Sequence, residues 1–317
     1  MTSDPTAPGR RRETRDADDT SQPAWAKVSR YDRRAQVVAV DRLTETGTVK
    51  ITFEVIDGRP FVFSPGHWVG IEEDVPGLGP RHSPYCIFSP PGDSRLFDIL
   101  IRVFSEGPLA HHLASLRPGY PIHFRGPAGR SMLPKEPDTD LIMLATGVGI
   151  SPFRSLCRHL LTHGDTRTIK FYWGLRLAED VCLLDELDGL AARHRNFTYQ
   201  ISLSQPPPGW PNLRGRVTES VPPLLDRLAG KRFFLAGNGA MIEEMEMALS
   251  SLGVDRTFIH MERFFNIRHR PDTATMEAIL GRFVAHDLPA GITDLQDLDR
   301  IFPLERDVRG RRAGPPR

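Results

Sequence analysis

Between Ser29 and about Leu133, apolar residues fall into short, β-branched runs that roughly alternate with polar ones: Ala35–Val40, Thr48–Val55, His67–Ile71, Phe97–Val103 and Pro121–Phe124. A period of two buries one face of an extended chain, so these runs predict strands. Asp57–Gly58, Pro65–Gly66, Pro91–Gly92 and Pro118–Gly119 punctuate them with turns. One amphipathic helix fits Leu109–Leu116. Five or six short strands with a single helix predict a small antiparallel β-barrel.

After the Pro-containing segment Leu133–Pro137 the rhythm becomes strand, helix, strand, helix. Strands are expected at Leu141–Ala145, Thr168–Trp173, Phe197–Leu203, Arg232–Ala236 and Thr257–His260, and helices at Phe153–Leu161, Leu183–Arg193, Val221–Leu228 and Met241–Ser250. This alternation implies a doubly wound α/β fold with a parallel sheet. Two segments about 90 residues apart, LIMLATGVGISP (Leu141–Pro152) and FFLAGNGAMI (Phe233–Ile242), each run from an apolar strand into glycines and then a helix. That is how an open parallel sheet presents backbone N–H groups and helix N-termini to a nucleotide phosphate.

The chain thus divides into an arm at 1–27, a barrel unit at 28–134, an α/β unit at 135–266 and an extension at 267–317. The arm is rich in Thr, Asp, Arg and Pro with almost no large apolar residues, and reads as disordered. The extension reads as partly helical, at Met276–Phe283, and then disordered. A net charge of +1 with scattered basic residues argues against general nucleic-acid binding. No stretch approaches the roughly 18 apolar residues of a membrane span, and Arg10–Arg12 is followed by no apolar export core. Cys86, Cys157 and Cys182 are widely separated and support neither a disulfide framework nor a metal cluster, so a reducing, cytoplasmic compartment is expected. The eleven histidines form no metal signature.

Four segments of the barrel unit suggest chemistry in combination: FSPGHWVGI (Phe63–Ile71), RHSPYCIFSPP (Arg81–Pro91), EGPLAHHL (Glu106–Leu113) and GPAG (Gly126–Gly129). Taken singly, the Pro-Gly pairs are hairpin turns, and Tyr85 with Phe88 are core residues. In this order, and ahead of ATGVGISP and AGNGAMI, they resemble the ferredoxin–NADP(H) reductase superfamily, especially its bacterial-type flavin reductases, over roughly Ser29 to Asn266. SPYCIFS resembles the family's Arg-x-Tyr-Ser-x-x-Ser flavin motif, and GPLAHHLASLRPG its second flavin motif and helix.

The resemblance implies a flavin barrel followed by a nicotinamide-binding domain, with FAD and either NADH or NADPH as cofactors. Ser83, Tyr85, Cys86 and Ile87 would then line the flavin, with Cys86 near its hydride-accepting edge. The backbone of Gly107, Pro108, Leu109 and Ala110 would hold the pyrophosphate, and Arg81 and Arg102 are candidates to neutralise it. Thr146, Gly147, Gly149, Ser151, Pro152, Gly237, Asn238 and Gly239 would hold the nicotinamide cofactor. Arg176, Arg214 and Arg216 are candidates for a 2′-phosphate or are solvated surface charges. Because Ser204-Gln205 occupies the place where the family often has a Ser-Arg or Thr-Arg pair, the lean is toward NADH. HMERFFN (His260–Asn266) follows the last expected strand; either Glu262 assists proton movement, with Phe264 or Phe265 shielding the flavin, or the segment is an amphipathic end packed on the barrel.

This sequence departs from the family at four positions. Ser83 stands where an Arg is usual, Cys86 where Ser or Thr is usual, Ala110 at a hydroxyl position and Ala236 where a Cys is frequent. The implied function is a flavin-dependent NAD(P)H reductase serving a ferredoxin or oxygenase-type redox protein. The alternatives are a free-flavin or quinone reductase and a non-catalytic nucleotide-binding subunit. Nothing in the sequence fixes the oligomeric state.

Overall fold

The computed structural model describes residues 31–92, 95–103, 107–136 and 139–264. The expectations for 1–27, for Phe265 and for 267–317, including the helix at 276–283, lie outside the described residues.

The first sheet contains β1 (Arg33–Arg42), β2 (Thr48–Val55), β3 (Trp68–Val75), β4 (Gly79–Cys86), β5 (Leu96–Arg102) and β6 (Pro121–Ala128) in the order β4-β3-β6-β1-β2-β5. Neighbouring strands are antiparallel. Just past β4, Ile87 forms a bridge with Ile99 of β5, and the Phe88 N–H donates to the Asp98 carbonyl at 2.8 Å. The two edges thereby meet and the sheet closes as a barrel. Its core holds Phe53, Phe61, Phe97 and Phe124, with Phe53 and Phe97 stacked at 5.2 Å. Helix α1 (Pro108–Ser115) buries Leu109 and Leu113 in this same core.

β4 is a strand that periodicity did not reveal. Pro80 and Pro84 lack an N–H and break the apolar rhythm. An edge strand tolerates them, because only one side of it must complete a ladder.

The second sheet is parallel: β7 (Asp140–Thr146), β8 (Ile169–Leu175), β9 (Phe197–Leu203), β10 (Leu213–Arg214), β11 (Lys231–Asn238) and β12 (Ile259–Phe264), in the order β10-β9-β8-β7-β11-β12. Strand alternation splits its core in two. Leu141, Met143 and Ala145 of β7 pack with α2 (Ile150–Thr162) and α3 (Leu184–Arg193), whereas Ile142 and Leu144 pack with α4 (Val217–Ser220) and α5 (Gly239–Ser251). β7 has β8 on one side and β11 on the other, so the chain reverses direction across the sheet there. Ligands of such sheets bind at that switch point, beyond the carboxyl ends of the strands.

Two expectations are corrected. The helix expected at Val221–Leu228 is instead α4 followed by a 3-10 turn at Pro222–Leu224, because Pro222 and Pro223 cannot continue an α-helix. The last strand does not run from Thr257 to His260 but from Ile259 to Phe264, so HMERF lies in the sheet rather than after it.

Candidate active site

At the switch point two loops are pressed together. A Cβ on Gly149 would lie 3.0 Å from Gly237 Cα and 2.7 Å from the carbonyl carbon of Ala236, the latter closer than real Cβ contacts come. Gly237, at φ +149°, would drive a Cβ into the Thr146 hydroxyl. That hydroxyl accepts from the Asn238 N–H at 3.4 Å, while Asn238 Oδ1 accepts from the Met241 N–H at 2.8 Å and caps α5. On the other loop, Trp173 Nε1–H donates to the Gly147 carbonyl at 2.9 Å, and the buried Ser151 hydroxyl donates to the Val148 carbonyl at 2.7 Å. Gly147 has φ +54°, and its Cβ direction is open within 4 Å. α2 continues directly from a 3-10 turn at Gly147–Gly149 whose start carries no side-chain cap, which leaves the backbone N–H groups of that turn for an anion. Pro152 is buried in the first turn of α2, and Gly239 opens α5.

The barrel meets the Gly147–Gly149 turn through β5, and at the end of β4 Cys86 lies within the field of Glu262. In the β3–β4 register, Tyr85, Ser83 and Arg81 stand opposite Val69, Ile71 and Glu73, and Cys86 stands opposite Trp68. Side chains alternate along a strand, so Cys86 and Tyr85 occupy opposite faces. Tyr85 hydrogen-bonds to Ser83 and packs against the barrel core, and burial pushes its phenol pKa up. Burial also pushes the Cys86 thiol well up, and the Glu262 carboxylate raises it further. Cys86 is therefore a protonated thiol at neutral pH, unsuited to nucleophilic attack. On β12, Glu262 stands beside Ala236 and Phe264 beside Asn238, while Glu262 Oε1 lies 3.0 Å from His260 Nε2. Glu262 thus stands beside Ala236, and its charge reaches Cys86.

The phosphate candidates separate. α1 begins at Gly107 with Pro108 in its first turn, no side-chain cap and no acidic residue in that turn, so its N-terminus is open to an anion. Ile87 and Leu109 direct their side chains into the barrel core, and Ala110 packs against it. Arg81 Nη1 donates to the Pro80 carbonyl at 2.9 Å. Arg102 is committed elsewhere: it donates to Thr46 and Thr48 at 3.0 Å each and to Asp180 at 2.8 Å. It ties the barrel to the α/β unit. Arg176 Nε reaches Gln205 at 3.4 Å, and the Arg216 side chain is 67% exposed, 3.8 Å from Glu244. A cleft of about 370 Å³ opens between the β1–β2 turn and α1, lined in part by Arg42, Thr46, Val103 and His111.

Sequence reasoning missed the contacts that hold the two halves together. Arg154 of α2 donates to the Phe88 carbonyl at 2.9 Å with its guanidinium 4.1 Å from the Phe88 ring centroid, and Thr46 donates to the Glu179 carbonyl at 3.4 Å. Phe88, Leu100 and Met132 sit in the core shared with α2 and α3. No local pattern announces such pairs. His260 did carry a signal: two positions from Glu262, it shares a face with it once the segment is known to be a strand.

A closed antiparallel barrel with one open helix N-terminus, joined through a shared core to a parallel sheet with paired glycine loops, defines a two-domain flavin and nicotinamide oxidoreductase. Residues 57–132 match the family described as the oxidoreductase FAD-binding domain, and residues 143–247 the oxidoreductase NAD-binding domain. Ferredoxin–NADP reductase B of Sorangium cellulosum is 33% identical over 239 residues, which cover 73% of this chain and 96% of that protein. The ferredoxin–NAD(P)(+) reductase component of the naphthalene 1,2-dioxygenase/salicylate 5-hydroxylase systems of a Ralstonia species is 27% identical over 208 residues, 65% of this chain and 62% of that component. Among solved structures, a cytochrome P450 reductase from Amycolatopsis shares the fold, with a TM-score of 0.66 at 23% identity over 73% of this chain and 69% of that one. The chain belongs to the ferredoxin reductase-like family and is an FAD-dependent NAD(P)H oxidoreductase.

Proposed function

We propose that this enzyme takes electrons from a nicotinamide and delivers them through FAD to a separate ferredoxin or oxygenase-type redox protein. Residues 28–134 form the flavin half and 135–266 the nicotinamide half. The observation that supports this reading is the pair of glycine loops pressed together at the switch point, with Glu262 in register beside Ala236 and its field reaching Cys86. Bound FAD supplies the conversion of a two-electron hydride into single electrons.

The chain's residues supply position, charge and exclusion of water. Gly107 to Ala110 offer backbone donors to the pyrophosphate, with Arg81 as the nearby cation on the Ser83–Tyr85 face of β4. Tyr85 and Ser83 form one wall of the flavin site and Cys86 its edge. Thr146 to Pro152 and Gly237 to Gly239 cradle the nicotinamide cofactor, held together by the Thr146–Asn238 bond. Glu262 is the carboxylate placed to exchange a proton at that edge, and Phe264 covers it. The family relationship favours a protein acceptor, since the Sorangium and Ralstonia relatives are both reductases named for ferredoxin. The three cysteines are free, in keeping with a reducing cytoplasm. Among the described residues no helix is long and apolar enough to cross a membrane.

Anaerobic titration of the purified protein with NADH and then NADPH, and then with a panel of ferredoxins, free FMN and quinones, tests this. Flavin bleaching by one nicotinamide and rapid reoxidation by a ferredoxin are expected. Turnover with quinone or free flavin but with no ferredoxin would favour a small-molecule acceptor. A protein that takes up no FAD on reconstitution would refute the reading.

A further inference from the structure

Strand β3 carries one charged residue on its inward face. Its alternation sends Val69, Ile71 and Val75 into the barrel core and places Glu73 on the same side, with its side chain 6% exposed. The buried carboxylate is met from two elements. His112 of α1 brings Nε2 to 3.4 Å from Glu73 Oε2, and the Tyr120 phenol helps hold the carboxyl down against burial. The His112 and Tyr120 rings stand edge to face, 6.2 Å apart. His123 of β6 adds its field to Glu73, Asp74 bears on Tyr120, and Arg81 of β4 is the register partner of Glu73. Burial raises the Glu73 carboxyl, and His112 and Tyr120 oppose that rise.

This cluster is clamped to the short helix whose N-terminus is open to an anion. His112 lies four residues past Pro108, about one turn, or roughly 6 Å, along α1. We propose that Glu73, His112 and Tyr120 position α1 for the flavin pyrophosphate and make FAD binding proton-linked. The inference rests on the reading of α1 as the pyrophosphate cradle.

The sign comes from charge. An added anion favours the protonated form of the buried Glu73 cluster, so by linkage protonation of the cluster favours the anion. FAD binding takes up protons, and affinity rises as pH falls. A cluster that merely stabilised the fold would shift unfolding without giving FAD affinity a pH slope.

The test titrates the full-length chain, stripped of flavin, with FAD at pH 6, 7 and 8 and constant ionic strength, monitored by flavin fluorescence. Calorimetry in two buffers of different ionisation enthalpy counts the protons. Wild type is expected to bind about 3- to 10-fold more tightly at pH 6 than at pH 8, with net proton uptake. His112→Gln and Glu73→Gln are expected to flatten the slope and reduce the uptake. A wild-type slope retained in His112→Gln overturns the proposal. Should the variants fail to fold, NMR titration of His112 in wild type with and without FAD decides, and a midpoint unmoved by FAD overturns it. A wild-type chain that binds no FAD at any pH instead sinks the reading of α1, and this coupling with it.

Discussion

Gly149→Ala is the smallest perturbation that separates the two cofactor halves. The added methyl would sit 2.7 Å from the Ala236 carbonyl carbon, where an unstrained contact needs at least 3.4 Å. The obstacle is backbone on both sides, so the loops after β7 and β11 must part by roughly 1 Å. Overpacking of this kind costs ~1–3 kcal/mol. For a chain of this size a 2 kcal/mol loss lowers Tm by about 4–8 °C. The kinetic effect is larger in proportion, because a displacement near 1 Å in a positioning element costs on the order of 10²-fold in rate. Stopped-flow anaerobic reduction, read by bleaching of the flavin, measures it, and flavin content measures the barrel separately. Leu249→Ala is the control: it costs ~2–5 kcal/mol in the α5 core but sits about 15 Å down the helix from Gly239. Gly149→Ala should therefore lose about two decades of flavin reduction with FAD retained, and Leu249→Ala should lose stability alone. Wild-type reduction in Gly149→Ala, or loss of its FAD, would refute the assignment of these loops.

Buried charges give the other expectations. Asp180→Ala leaves Arg102 without its carboxylate and should cost ~2–3 kcal/mol in urea unfolding, since Asp180 is nearly buried and the guanidinium only partly so. Burial pushes the Asp180 pKa up, but bonds from Thr46 and Arg102 outweigh it and leave it lowered, so this stabilisation is full above the ordinary aspartate value and fades as pH falls through the folded one. Asp57 is held well below the carboxylate range, chiefly by the Arg33 hydrogen bond and against the pull of burial. Asp57→Asn should thus lower stability by ~2–3 kcal/mol at pH 7 and flatten its decline between pH 4 and pH 2, read by unfolding at each pH. Glu262→Gln should lower acceptor-coupled turnover at least ~10-fold and change its pH profile, while unchanged turnover would remove Glu262 from the chemistry.

What the sequence made legible depended on how locally each feature is determined. The two faces of β7 announce themselves because both are covered, making Leu141 to Ala145 uninterruptedly apolar. The glycine loops are equally local, since Gly149 and Gly237 answer to sterics that no other side chain satisfies. β4 and β12 resisted for the opposite reason. Each lies at an edge of its sheet, carries polar residues or prolines, and is held by register rather than by its own rhythm. The Arg102–Asp180 tie, spanning 78 residues, exists only once the halves have docked.

Cys86 lies on one of these edge strands, and its chemical meaning changes with that placement. Read as a letter in a motif, it replaces a hydroxyl by a weaker donor. Placed on β4, it faces away from Tyr85, and the Glu262 carboxylate deepens the protonation that burial imposes. A thiol kept neutral beside a carboxylate neither competes for the proton nor attacks the cofactor. The substitution at Cys86 and the carboxylate at Glu262 therefore belong to one electrostatic arrangement. Restoring the hydroxyl by Cys86→Ser should alter the pH dependence of turnover in wild type more than in Glu262→Gln.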